Sequence, residues 1–309
     1  MVAAMTTTND TANSVARHDH GLSRETLAEI ARDRLTDLEV LRAVLLERPR
    51  SLAGFVRETQ ALAGYFHLLQ PDAAEVSVFL RLMARAVAAD AARTLPGAGP
   101  VRVDLGETGP LELPPHREEA PDLRQIVDAF HAAFAAGDRP ALDLLAGLPL
   151  ERLAQTPPAV EERAYALSHA RGLQTLVRGD IAGNDLLLDA IKGCGDTAMS
   201  NEERDYAMFL VSPEIELALI HGDGDAAGDG ELSAFDAALR NALVLHRRYW
   251  TEFGEANDPK GFIALGPLAW AALRRDRGLP VAVTSDYLPR SVMESHSDAG
   301  TAPGGRSLH

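Results

Sequence analysis

The sequence predicts a mainly α fold: a packed multi-helix domain with one β-hairpin at about residues 101–113. Apolar residues recur every three or four positions over most of the chain, as on the buried face of an amphipathic helix. A clear alternation of apolar and polar residues, the pattern of a β-strand, occurs in one short stretch. The 309 residues are enough for one large domain or two small ones with a substantial core.

Three helices are expected before the hairpin. The first follows the capping residue Ser23 and ends at Pro49, because a capping hydroxyl begins a helix and proline interrupts one. The second can start at Ser51, and the third follows Pro71. Each has its own apolar stripe, so we expect an N-terminal helical bundle over residues 21–95.

Residues 96–120 are expected to form the hairpin and a linker, and residues 121–294 a C-terminal helical unit. The hairpin is predicted by alternation on both sides of a glycine-containing turn. Apolar spacing and capping residues predict the helices of the C-terminal unit at Ile126 to Phe134, Leu142 to Leu148, Val160 to Val177, Asp185 to Lys192, Ser200 onward, Ser233 to Trp250, Phe262 to Gly278, and Leu288 onward. The third of these helices follows a cap and first turn formed by Thr156, Pro157 and Pro158. The helix that starts at Ser200 has a capping box of Ser200 and Glu203 and is expected to kink near Pro213.

Both ends of the chain lack an apolar period. Residues 1–20 and 295–309 are therefore expected to be disordered tails. His18 and His20 lie in the first tail, where no helix or strand would fix the geometry of a metal site. The acidic loop from 221 to 230 lacks the ligand spacing of a calcium-binding loop, and we expect a solvated turn there. No metal and no cofactor are expected.

Composition and charge exclude several classes of function. A formal charge of −15 repels phosphate backbones and anionic headgroups, so neither nucleic acid nor a membrane is an expected partner. The single cysteine, Cys194, cannot form an internal disulfide. No secretion signal and no apolar run of about 20 residues is present, so we expect a cytoplasmic protein.

Local catalytic motifs are missing as well. The sequence contains no Gly-x-Ser-x-Gly elbow, no phosphate-binding loop that ends in Gly-Lys-Ser/Thr and no His-Glu-x-x-His zinc pair. No catalytic residue is therefore predicted, and whether the protein is an enzyme stays open at this point.

The helix from Ser233 to Trp250 has the most distinctive side chains. Its apolar spacing directs His246 inward, where we expect a core histidine that is hydrogen-bonded to a carbonyl or to Tyr249 rather than an acid, base or ligand. The opposite face carries Arg240, Arg247 and Arg248, and the next helix carries Arg274, Arg275 and Arg277. These cations could together form an anion-docking patch, but we favour ordinary solvated helix faces with ion pairs.

Four short sequence motifs in the last third of the chain are typical of one family. They are residues 246–250 (HRRYW), 261–269 (GFIALGPLA), 278–281 (GLPV) and 285–289 (SDYLP). This series resembles the C-terminal signature of the immunity protein 49 family, mostly actinobacterial proteins associated with polymorphic toxin systems and expected to be all-helical. The resemblance is strongest over about residues 200–292. It implies a non-enzymatic cytoplasmic protein that binds and neutralises a cognate toxin. The candidate binding residues are His246, Arg247, Arg248, Tyr249, Trp250 and Tyr287.

Two other functions are compatible with the same scaffold, because a fold does not determine function. One is a helical enzyme or small-molecule-binding protein, recruited to natural-product biosynthesis, with a pocket near His246, Tyr249, Trp250 and Tyr287. The other is a self-associating accessory protein, for which an apolar homodimer face would be the distinguishing observation.

Overall fold

The computed structural model describes residues 13–48, 51–106, 109–116, 120–154, 164–179, 183–194 and 232–299. These ranges contain eleven α-helices, which confirms the mainly α prediction. The helices are α1 (Arg24–Val44), α2 (Ser51–Leu69), α3 (Glu75–Thr94), α4 (Leu123–Ala135), α5 (Arg139–Ala146), α6 (Leu150–Leu153), α7 (Ala164–Arg178), α8 (Gly183–Cys194), α9 (Ala234–Glu252), α10 (Leu265–Asp276) and α11 (Arg290–Ala299). The strands are β1 (Ser14–Val15), β2 (Val101–Asp104), β3 (Pro110–Leu113) and β4 (Thr284–Ser285).

Helices α1, α2 and α3 pack in chain order. The Ser23 hydroxyl accepts the Thr26 backbone N–H at 3.1 Å, so the predicted cap of α1 is confirmed. The predicted stripe of α2 is buried through Leu52, Phe55 and Leu62. Helix α2 contacts both α1 and α3, which places its apolar face in the middle of the bundle.

Strands β2 and β3 form the predicted antiparallel hairpin, with Val101 opposite Leu113. Val103, Leu105 and Leu113 are buried, whereas Arg102 is exposed. The apolar side of the hairpin covers α3, so the alternation in the sequence corresponds to one packed and one solvated face.

Helix α4 lies at the centre of the fold, in contact with α3, α5, α7 and α10. Its N-terminus is closed by a capping box in which the Asp122 carboxylate accepts the Gln125 backbone N–H and the Gln125 side chain accepts the Asp122 N–H. Ile126 and Phe130 are completely buried. One hydrophobic cluster includes Phe79 of α3 together with Phe130, so the two predicted helical units share a core.

Helix α9 begins at its predicted cap, because the Ser233 hydroxyl accepts the Asp236 backbone N–H at 3.0 Å. Helix α10 ends before Gly278, whose φ of 72° is the left-handed conformation that glycine adopts readily after a helix. Phe262, predicted to open this helix, belongs instead to a separate 3₁₀ turn at Pro259–Phe262.

The prediction of disordered tails is wrong for the parts of both ends that the structure describes. Residues 13–20 are held against the end of the chain: β1 pairs in parallel with β4, and His18 is buried. The last helix reaches Ala299, so residues 295–299 are helical. The N-terminal segment is fixed by contacts about 270 residues away in sequence, which a search for local apolar periodicity does not detect.

Some predictions lie outside the described residues. These are the Ser200 and Glu203 capping box, the kink near Pro213, the acidic loop from 221 to 230, and the Thr156 to Pro158 start of the helix that contains α7. Among the helices that are described, none combines the length and apolar character required to cross a bilayer.

Candidate functional site

Helix α9 positions the predicted site residues. Its buried side is formed by Phe235, Leu239 and Ala242, and the same side continues to His246 and Trp250 at helical spacing. The apolar residues pack this side of the helix against the core, so the side chains of His246 and Trp250 are only 5% and 6% exposed.

His246 is a core histidine, as predicted. Its Nε2 donates to the carbonyl oxygen of Gly261 at 3.0 Å. Burial lowers the pKa of His246 to about 4, and the nearby His18 and Arg17 act in the same direction. The imidazole is therefore neutral near pH 7, with its proton on Nε2 because a carbonyl oxygen can only accept.

Aromatic rings enclose His246 and bring the candidate residues together. The Tyr287 ring meets His246 edge to face at a centroid distance of 4.8 Å, and the Trp250 ring lies 6.2 Å from His246. The Tyr249 and Trp250 rings are 5.0 Å apart. Gly261 lies so close to this cluster that a Cβ atom built there would be 2.6 Å from Trp250 Cδ2.

The Gly261→Ala substitution is expected to lower the free energy of unfolding by about 1–3 kcal/mol, because the added methyl group must displace the buried Trp250 ring. Urea denaturation monitored by tryptophan fluorescence measures this loss. Gly99→Ala is the matched control, since a Cβ at Gly99 meets no atom within 4 Å. Equal stabilities of the two variants would contradict the close packing of Trp250.

The Tyr287 hydroxyl connects this cluster to the N-terminal segment. It accepts the backbone N–H of His18 at 2.9 Å and donates to Nδ1 of His18 at 2.8 Å. Nε2 of His18 donates to the Ala256 carbonyl oxygen at 2.9 Å. Burial lowers the pKa of His18, so the neutral imidazole that this pattern requires is also the favoured form.

Arg17 extends the connection to α2. Its guanidinium donates to the carbonyl oxygen of Asp286, and its Nη2 lies 2.7 Å from Nε2 of His67. His67 is buried at the end of α2, and burial together with the positive charge of Arg17 lowers its pKa to about 4. Sequence analysis missed both Arg17 and His67, since neither lies in a recognisable motif.

The remaining predicted site residues lie toward solvent. Arg247 and Arg248 are exposed, and Arg248 forms an ion pair with Glu252 at 2.9 Å. Arg274 does not contribute to an exposed cationic patch: it is buried, its guanidinium lies 4.5 Å from the Phe235 ring centroid, and its Nε donates to Pro280.

A second group of polar side chains lies where α4, α7 and α10 meet. The His131 ring lies 5.7 Å from the His169 ring and 6.1 Å from the Trp270 ring. Burial raises the pKa of the nearby Asp128 to about 7. Within the described ranges, no three His, Cys, Asp or Glu side chains are placed to share a metal ion.

A sequence model of a known family, described as immunity protein 49, matches residues 70–292. The chain belongs to the immunity protein 49 family. No curated protein and no solved structure matches it.

The family match includes all six predicted binding residues of this immunity protein 49 member, from His246 to Tyr287. Tyr287 and Asp286 are held in place by Arg17, His18 and His67. These three residues precede the matched range. The candidate site is therefore built from the family region and from an N-terminal part that lies beyond the match.

Proposed function

We propose that this protein binds a cognate bacterial toxin in the cytoplasm and neutralises it by covering the toxin's active surface, without catalysis of its own. Membership of the immunity protein 49 family over residues 70–292 is the observation that carries the proposal. A function of this kind needs an outer surface and a stable scaffold rather than a reactive centre.

The internal packing supports a binding role over a chemical one. His246, Trp250 and Tyr287 are buried against one another, and His246 and Tyr287 use polar atoms in hydrogen bonds to groups of this chain. These side chains stabilise the fold, so contact with a partner falls to exposed residues. Arg247 and Arg248 on the outer face of α9 are such residues.

Charge supports a protein partner that is basic. The formal charge of −15 attracts a positively charged toxin over long range and accelerates association. Because this attraction is screened by salt, binding is expected to weaken as ionic strength rises.

Co-expression with the toxin encoded in the same gene neighbourhood tests the proposal. The chain is expected to restore the growth of cells that express the toxin and to form a one-to-one complex in size-exclusion chromatography with light scattering. Calorimetric titration at about 50 and 500 mM salt should show affinity falling about tenfold or more. An unrelated helical protein of similar net charge is the control.

Absence of both protection and complex formation with the intact chain would refute the proposed function. Protection with an affinity that does not change with salt would leave neutralisation standing and remove its electrostatic component.

A further inference from the structure

A cleft of about 620 Å³ lies beside the candidate site. Its walls are the segment from Val281 to Asp286, helix α11, the end of α2 and the N-terminal segment, which contributes Ser14 and Arg17. The volume is within the range of about 300–1,000 Å³ that is typical of binding sites.

The cleft has an apolar floor and a charged rim. Val283 and Leu288 are buried and line the floor. Asp72, Arg290 and Glu294 line the same cleft and are exposed. An apolar centre that is surrounded by solvated polar groups is the usual arrangement of a protein–protein contact.

The rim charges are available to a partner. Glu294 follows Arg290 by one turn of α11, yet neither of these side chains nor Asp72 forms an ion pair with another described residue. Deeper in the cleft, two guanidinium groups are held in place by backbone carbonyls. Arg17 donates to Asp286 and Arg275 donates to Met293.

Among the described residues that line the cleft, the charges cancel, although the chain as a whole is strongly acidic. These residues include three arginines and three carboxylates: Arg17, Arg275, Arg290, Asp72, Asp286 and Glu294. A purely anionic or purely cationic ligand would leave one set of these charges unpaired. A ligand in which an apolar group lies between a positive and a negative charge can pair with the charges of the rim and cover the apolar floor at the same time.

We propose that this cleft docks a segment of the toxin in which an apolar side chain lies between an acidic and a basic side chain. The inference rests on the proposed function for the identity of the partner. The apolar side chain packs on the half-buried Val281 and Met293 and reaches Val283 and Leu288 beneath them. The acidic side chain pairs with Arg290, and the basic one pairs with Asp72 or Glu294. The N-terminal segment is then part of the docking surface, since it forms one wall.

Methyl NMR of the full chain tests the cleft without the toxin. The probes are the blocked tripeptides Glu-Leu-Lys and Lys-Leu-Glu, with Ala-Leu-Ala, Glu-Leu-Glu and Lys-Leu-Lys for comparison. At least one mixed-charge peptide should shift the methyl signals of Val283 and Leu288 and bind about tenfold more tightly than the three comparison peptides.

The Arg290→Glu variant should weaken that binding about tenfold or more. It is expected to fold, because a negative charge at the first residue of α11 is favourable for the helix. Arg32→Glu is the matched control, since Arg32 is an exposed cation of α1 that does not line the cleft. In a titration with the toxin, only Arg290→Glu should reduce affinity.

The outcomes separate the two proposals. If the toxin binds both variants equally, the docking inference is wrong while neutralisation stands. If a mixed-charge peptide binds the cleft but the chain protects against no toxin, the proposed function is wrong and the cleft remains a peptide site. If no peptide shifts the two methyl signals, the inference is overturned.

Discussion

Protonation of His67 and His246 is expected to lower the free energy of unfolding by about 3 kcal/mol each as the pH falls from 7 to 4. Burial places the pKa of both imidazoles at about 4, against about 6.5 in an unfolded chain. Well above pH 6.5 both imidazoles are neutral in the folded and in the unfolded chain. Below it the unfolded chain takes up protons that the folded chain accepts only near pH 4, so stability decreases as the pH falls through this window.

Two carboxyl groups act in the opposite direction. Burial raises the pKa of Asp90 and raises that of Asp128 to about 7, so the folded chain retains protons that the unfolded chain releases. The Asp128 side chain keeps part of its surface in solvent, which reduces its effect. The histidine contributions must therefore be obtained from differences between variants.

Urea denaturation of the wild type, His67→Gln and His246→Gln at several values between pH 7 and pH 5 measures these differences. Each substitution should reduce the slope of unfolding free energy against pH by about 1 kcal/mol per pH unit, because the unfolded chain binds most of one proton that the folded chain does not. Asp128→Asn should make the slope steeper. Above about pH 8 all slopes should agree, which is the internal control. Identical slopes below pH 6 would show that these imidazoles are not buried in the neutral form.

Most of the helical framework could be predicted from the sequence because its signals are local. Ser23 and Ser233 each cap the helix that follows, and in both cases the hydroxyl accepts a backbone N–H three residues ahead. The capping box of Asp122 and Gln125 is equally local and was missed, although its spacing could have been found by the same search.

The site was predicted only in part because several of its contacts are long-range. The apolar spacing of α9 correctly placed His246 and Trp250 on the buried side. Arg17 and His18, which contact Asp286 and Tyr287, lie about 270 residues earlier, in a stretch with one buried aliphatic residue, Val15. Hydrogen bonds and a two-residue parallel pairing hold that stretch, and neither produces a periodic pattern in the sequence.

The Tyr287→Ala substitution is expected to lower the free energy of unfolding by about 3–5 kcal/mol, the usual cost of truncating a buried aromatic side chain. Tyr287 has no exposed surface and packs edge to face on His246. Its hydroxyl has two bonds to His18, so Tyr287→Phe should cost about 1–3 kcal/mol by leaving the His18 backbone N–H and Nδ1 without their partner. Urea denaturation measures both losses, and Phe253→Ala, the truncation of a half-exposed ring, should cost less than about 1 kcal/mol.

Hydrogen exchange distinguishes the two Tyr287 variants by position. In Tyr287→Phe the ring still fills the core, so faster exchange should be confined to Ser14–His18 and the paired residues Thr284 and Ser285. In Tyr287→Ala the protection of α9 should fall as well, since His246 loses its ring contact. If Tyr287→Phe leaves the N-terminal segment protected, the hydroxyl does not hold that segment. The wall that Arg17 contributes to the cleft must then be fixed by the pairing of β1 with β4 and by the contacts of Arg17 with Asp286 and His67.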